Sequence, residues 1–201
     1  MSEELLTKGE RTRQAIEDAA LSLFMEQGYH ATSMRQIAAR ADLALGGIYN
    51  HFASKDDIFE GIIVDKHPYK QIVPVILAAE GETAEEFIHN AASAIVTELG
   101  NRPDFLKIIF IEFVEFNGKH GPVLISQVGP QILPVFERMV KHRNNLRSLN
   151  PAVLMRSFMG MVISFYMTEL FIGDALKKFM PKNSFDQYVD IYIHGILKET
   201  A

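Results

Sequence analysis

The stretch Thr32–Lys55, TSMRQIAARADLALGGIYNHFASK, constrains this chain more than any other. It reads as two short helices joined by a tight turn, with a third starting at its end. A hydroxyl at Thr32 or Ser33 accepts from the N–H groups left open at a helix start, and Ser33 with Gln36 fits a capping box. Met34, Ile37, Ala38 and Ala41 fall at i, i+3, i+4 and i+7, the spacing of one buried helical face. The turn is Asp42-Leu43-Ala44. Gly46-Gly47 opens the second segment, where Ile48, Tyr49 and Phe52 repeat the spacing. Ser54 starts the third, with Asp57 as the partner in a second capping box. Two short helices across a turn of three or four residues form a helix-turn-helix, whose second helix enters the major groove of DNA.

The residues at these positions carry more than the spacing does. Gly28-Tyr29, Thr32 to Ala38, Ala41-Asp42-Leu43, Gly47 to Phe52 and Ser54-Lys55-Asp56 resemble the DNA-binding domain of the TetR/AcrR family of one-component bacterial regulators. The match runs from near Arg13 to near Ile62, about a quarter of the chain; beyond it the resemblance is one of architecture. It implies that Arg35 meets bases or phosphates, that Gly47, Tyr49, Asn50 and His51 lie on the recognition helix, and that Lys55 meets a phosphate. Thr32 and Ser33, at the first helix start, complete the candidate DNA-binding set. Each role suits its chemistry: Arg forks onto guanine O6/N7, and Asn pairs with adenine N6/N7. Gly47 lets the backbone approach the groove, and the Ser54 helix start offers N–H groups to a phosphate. Tyr49 also reads as a packing ring, while Ile48 and Phe52 read as core. The sequence departs from the family at Ala44 and Leu45, where a capping hydroxyl and a polar residue are usual. The missing cap costs about 1 kcal/mol; Asp42 is the one substitute at hand.

Charge pulls the other way. The chain of 201 residues has a net charge of −5, and residues 1–60 hold six Lys/Arg against ten Asp/Glu. DNA affinity rests on counterion release by cations, so either the cations cluster on one face, which Arg11, Arg13, Arg35 and Lys55 can make, or binding is weak at physiological salt. There is no Cys, hence no disulfide framework, which fits a reducing cytoplasm. The N-terminus has no secretory pattern, and no stretch reads as both long and uncharged enough to span a membrane.

The rest of the chain also reads as helix, giving an all-α fold. A first helix is expected over Lys8–Gln27 after a frayed 1–7, ended by Gly28. The Ser54 helix runs to about Lys66, where Pro68 stops it. His67–Gly81, broken by Pro74, reads as the hinge between a DNA-binding domain (1–66) and a ligand-binding and dimerisation domain (67–201). Later helices are expected from Thr83 to Gly100, from Pro103 to Asn117, and over Gly121–Asn145, kinked or in two pieces at Pro130 and Pro134. Two more follow, from Asn150 to Ile172 and from Ser184 to Lys198.

The helix FLKIIFIEFVEF is apolar almost all round, and Phe105, Ile108, Ile109, Glu112 and Phe116 share one face. An unpaired carboxylate there is costly. Glu112 therefore has an internal partner such as Arg102, Arg138 or His89, or a helix end, or else a cavity where it meets a ligand. On the Asn150 helix, Phe158, Met159, Val162, Phe165, Tyr166 and Glu169 share a face, with Ser157, Gly160 and Ser164 opposite. Phe105, Ile109, Glu112, Phe116, Phe158 and Tyr166 are the candidate ligand contacts. The small-residue face and the apolar last helix suit a four-helix interface in a two-fold dimer, as the resemblance also implies.

No catalytic constellation, metal-ligand spacing, phosphate loop or cofactor fingerprint occurs, so the chain reads as no enzyme. The resemblance implies a homodimeric repressor, released from a palindromic double-stranded operator by a small hydrophobic or aromatic effector. The alternative is a small-molecule-binding protein of the same fold with weak or lost DNA binding.

Overall fold

The computed structural model describes residues 6–102, 104–141 and 147–196; these hold ten helices and no strand. Helix α1 (Lys8–Gln27) starts at a capping box: Thr7 Oγ1 accepts from the Glu10 N–H, and the Glu10 carboxylate accepts from the Thr7 N–H at 2.7 Å. Thr7, expected in a frayed tail, is thus a cap; residues 1–5 lie outside the described residues. Gly28 ends the helix at φ +88° and ψ 161°, a combination open to glycine alone. Helix α2 (Met34–Arg40) begins at the Ser33–Gln36 capping box. It ends where Asp42 takes φ +55° and the Leu43 N–H donates to Ala38 O at 2.9 Å, which closes the helix end. A short polar side chain tolerates that left-handed conformation. Helix α3 (Leu45–Ile48) is one turn long and runs on as turns, with the Phe52 N–H donating to Ile48 O. Helix α4 (Lys55–Asp65) is capped by Ser54 Oγ, which accepts from the Asp57 N–H at 3.1 Å. Ile16, Ala20, Ile37, Ile48, Ile58, Phe59 and Ile62 are fully buried beneath these four helices. Each such Ile or Phe contributes about 1.5–3 kcal/mol.

Packing divides the chain into two units. Met1–His67 is joined by Asp104–Gln127, which holds α7 (Asp104–Phe116) and the start of α8 (Gly121–Lys141). Pro68–Pro103 packs with Val128–Ala201, which brings together α5 (Tyr69–Ala78), α6 (Ala84–Gly100), the rest of α8, α9 (Pro151–Lys177) and α10 (Ser184–Ile196). The division drawn from the sequence at 66/67 leaves α7 with the C-terminal domain. In the structure Ile108 belongs to the core of α1 and α4, and Phe116 stacks on Phe59 with centroids 4.6 Å apart. An all-round apolar helix does not say which neighbour receives it.

The expected hinge at 67–81 is largely helix. Tyr69, Ile72, Val73 and Ile76 repeat at helical spacing and are buried, and Pro74 sits on the exposed side of α5. In α8 the two prolines produce no break, since both are exposed, four residues apart on one face. The carbonyls they strand, of Ser126 and Pro130, lie on that same face. Helix α9 starts as expected, with Asn150 Oδ1 accepting from the Ala152 N–H at 2.8 Å, but extends five residues beyond Ile172. Its segment Pro151–Ile172, with a mean hydropathy of 1.2, is long and apolar enough to cross a membrane, which corrects the sequence-based reading. It packs here against α6 and α10. Pro103, Asn145 and Lys198, expected at helix ends, lie outside the described residues.

Candidate nucleic-acid interface

A helix-turn-helix aims the N-terminal residues of its second helix at base edges. Here that helix is preceded by Ala44 at its N-cap position, which makes no side-chain cap hydrogen bond. Asp42, the substitute expected from the sequence, is committed to the turn instead. Leu45 is 42% exposed and Tyr49 52%; Arg35 and Asn50 are exposed, Gly47 and His51 half-buried. A Cβ on Gly46 or Gly47 would meet nothing within 4 Å. No side-chain hydrogen bond or ion pair holds Arg35 or Asn50 among the described residues.

The other members of the expected set serve the scaffold. Thr32 is buried; its hydroxyl donates to Gly28 O at 2.9 Å and accepts from Gln27 Nε2 at 3.1 Å. The Ser33 hydroxyl is occupied in its capping box, donating to Gln36 Oε1 at 2.8 Å. Lys55 Nζ donates to the carbonyls of Tyr29 and Thr32 and lies 4.1 Å from the Tyr29 ring centroid. Burial lowers its pKa, with the Glu115 carboxylate opposing. Lys55 thus ties the α1–α2 loop to the start of α4 and fixes where α2 and α3 stand.

The expected cationic face is correspondingly depleted. Arg13 Nε lies 3.2 Å from Glu17 Oε1, and its guanidinium stacks 4.3 Å from the Phe52 centroid. Arg40, another cation of this unit, forks onto Glu26 at 2.8 and 2.9 Å and donates to Ser22 Oγ. Those bonds from Arg40 and Ser22 pull the Glu26 carboxyl down to about 2. Of the side chains of Arg11, Arg13, Arg35 and Lys55, those of Arg11 and Arg35 have no partner among the described residues.

Two buried carboxylates brace the unit. Glu17 is 1% exposed, and burial, then the nearby Asp65 carboxylate, raises it to about 7 against the pull of Arg13. Glu112 is 6% exposed; its Oε1 accepts from the His120 N–H at 2.7 Å, and His120 Nδ1 lies 2.7 Å from its Oε2. His120 Nε2 lies 3.6 Å from Asp56 Oδ1, and Lys119 pairs with the other Asp56 oxygen. The partner of Glu112 is therefore His120, at the start of α8, so the expected helix end is found, with a histidine other than His89. Arg102 bonds Glu98 and His89 bonds Asp186, while the side chain of Arg138 lies outside the described residues. His120 stands eight residues on, brought back by Asn117 and Gly118 at φ +52° and +78°, a return that helical periodicity does not foresee. The end of α7 grips the α1–α2 loop as well: Glu115 pairs with His30, and Phe116 meets Tyr29 edge-on at 4.7 Å.

Among the other candidate ligand contacts, Phe105 and Ile109 are half-buried in this first unit, with Phe105 edge-on to His67. Phe158 and Tyr166 are buried in the second, where the Tyr166 hydroxyl donates to Leu99 O at 2.8 Å. None of the six lines the polar cleft of about 680 Å³ between α6 and α10, whose walls include Glu85, Glu86, His89, Asp186 and Asp190. No group of three acidic or histidine side chains placed to hold a metal ion occurs among the described residues.

Comparison with known proteins agrees with this geometry. Residues 16–62 match the family model for bacterial regulatory proteins of the tetR family. The chain is similar to the HTH-type transcriptional regulator YvkB of Bacillus subtilis, 23% identical over 92% of this chain and 97% of that protein. It is 30% identical to the HTH-type transcriptional repressor BepR of Brucella suis over 67% of this chain and 68% of BepR. Its fold resembles that of NalD, described as the secondary repressor of the MexAB-OprM multidrug efflux pump of Pseudomonas aeruginosa. The TM-score is 0.67, with 20% identity over 96% of this chain and 100% of NalD. A helix-turn-helix with its reading face open, a helical remainder and these likenesses have one explanation: the chain belongs to the TetR family of bacterial transcriptional regulators, and it is not an enzyme.

Proposed function

We propose that this regulator is a cytoplasmic homodimeric repressor that a small hydrophobic or aromatic molecule releases from a near-palindromic operator. The observation that carries the release is the grip of α7 on the DNA-reading scaffold. Glu115–His30 and Phe116–Tyr29 fasten that helix to the α1–α2 loop, and Glu112 holds His120, which with Lys119 faces Asp56 at the start of α4. A ligand that shifts α7 therefore acts on Lys55 and Tyr29, which position α2 and α3. Phe105, Ile109, Phe116, Phe158 and Tyr166 stay as candidate effector contacts, while Glu112, occupied by His120, belongs to the coupling. A ligand shifts the protein only through unequal affinity for the two shapes, and operator DNA must weaken the ligand by the same factor.

The depleted cationic face favours a second reading, an effector-binding protein with little DNA affinity. Selection of bound duplexes from the DNA upstream of its own gene separates the two, followed by titration of neutral aromatics and hydrophobic cations against the selected site. Selection of a palindrome that a ligand displaces supports the repressor; no enrichment even at low salt leaves the second reading.

A further inference from the structure

We propose that Leu45 is a specificity-determining residue, and that it reads the methyl group of a thymine in each operator half-site. Leu45 is the first residue of α3, where a helix-turn-helix meets base edges. Its side chain is 42% exposed, and its neighbours add little beside it: Ala44 and Gly46 are exposed, and Gly46 and Gly47 have open space where a Cβ would stand. The isobutyl group is thus the reach of the first half-turn of α3, and it has neither donor nor acceptor. The one base-edge feature that an apolar group distinguishes in the major groove is the C5 methyl of thymine. With Arg13, Arg40 and Lys55 held by intramolecular partners, direct contacts of this kind carry a larger share of binding than charge does. Asn50 and Arg35, both exposed, remain for polar base edges.

The inference rests on operator binding, and the test keeps the two apart. Once the full-length protein has selected its operator, each thymine in turn is replaced by deoxyuridine, which removes the methyl group alone. One thymine per half-site should show a loss of about fourfold, the transfer value of one methyl-sized group. In Leu45→Ala that position should bind thymine and uracil equally, while the other thymines keep their wild-type response. An unchanged melting temperature for Leu45→Ala establishes that the fold is intact. An operator indifferent to the loss of every thymine methyl, or a penalty that persists in Leu45→Ala, overturns the role of Leu45 while operator binding stands. A protein that selects no sequence fails at DNA binding itself and takes this inference with it.

Discussion

Gly47 leaves open space on the reading face, so a methyl group added there costs nothing within the free protein. Alanine is the better helix former by about 1 kcal/mol, and Gly47→Ala should therefore raise the melting temperature slightly while weakening operator binding. A variant that binds as well as wild type would show that the groove does not approach this backbone. Asn50 and Lys55 should separate in the opposite sense. Asn50→Ala removes an exposed side chain without a partner, so its melting temperature should hold while discrimination of the correct sequence falls by about 1–3 kcal/mol. Lys55→Ala strips a charged donor from two carbonyls, worth about 1–2 kcal/mol at a half-buried site. It should melt earlier and bind all sequences less well, which thermal denaturation beside anisotropy titrations on specific and random duplexes would reveal.

Between α1 and α4, Glu17 and Arg13 fill the space that Gly61 leaves, since a Cβ there would meet Glu17 Oε1 at 2.7 Å and Arg13 Nη2 at 2.8 Å. Glu17 keeps its proton to about pH 7 when folded, whereas the unfolded chain releases it near 4.5. Its contribution is complete below pH 4.5 and is lost as the pH rises through 7. His67, lowered to about 4 by burial, acts oppositely: stability is present above its unfolded value of 6.5 and lost as the pH falls toward 4. The two offset each other in wild type, and Glu17→Gln should leave stability rising with pH between 4 and 6.5, as urea midpoints would register. Neither effect was legible in the sequence, because Glu17 and His67 owe their burial to helices far along the chain. The capping residues were legible, since Ser33, Ser54, Thr83 and Asn150 act on atoms two or three residues away. Pro74 misled as a break because α5 turns it to the exposed side, where the helix runs on past it; α8 likewise passes Pro130 and Pro134 as one helix rather than two pieces. His120 went unseen as the partner of Glu112 because the turn that returns it rests on Asn117, a residue that left-handed geometry permits without requiring.

At the scale of the molecule, α9 and α10 leave Val153, Ile163, Leu170, Phe171 and Ile191 at 42–75% exposure, beside the exposed Ser157, Gly160 and Ser164. This is more apolar surface than a lone chain needs, and a second copy is its expected cover. A Cβ at Gly160 meets nothing within 4 Å in its own chain, so Gly160→Leu should leave the monomer's helicity unchanged and push the dimer apart. Sedimentation at micromolar concentration decides it, and a monomeric wild type would remove the case for a palindromic operator. The three crossings of the chain between its two units, after residues 67, 103 and 127, bear on the order of synthesis. The N-terminal core includes Ile108 and Phe116, so the DNA-reading unit lacks part of its packing until the segment Asp104–Gln127 has left the ribosome. A fragment ending at His67 should be far less protected from proteolysis than the same residues in the whole chain. An interrupted translation product then has little chance of occupying the operator as a repressor that no effector can remove.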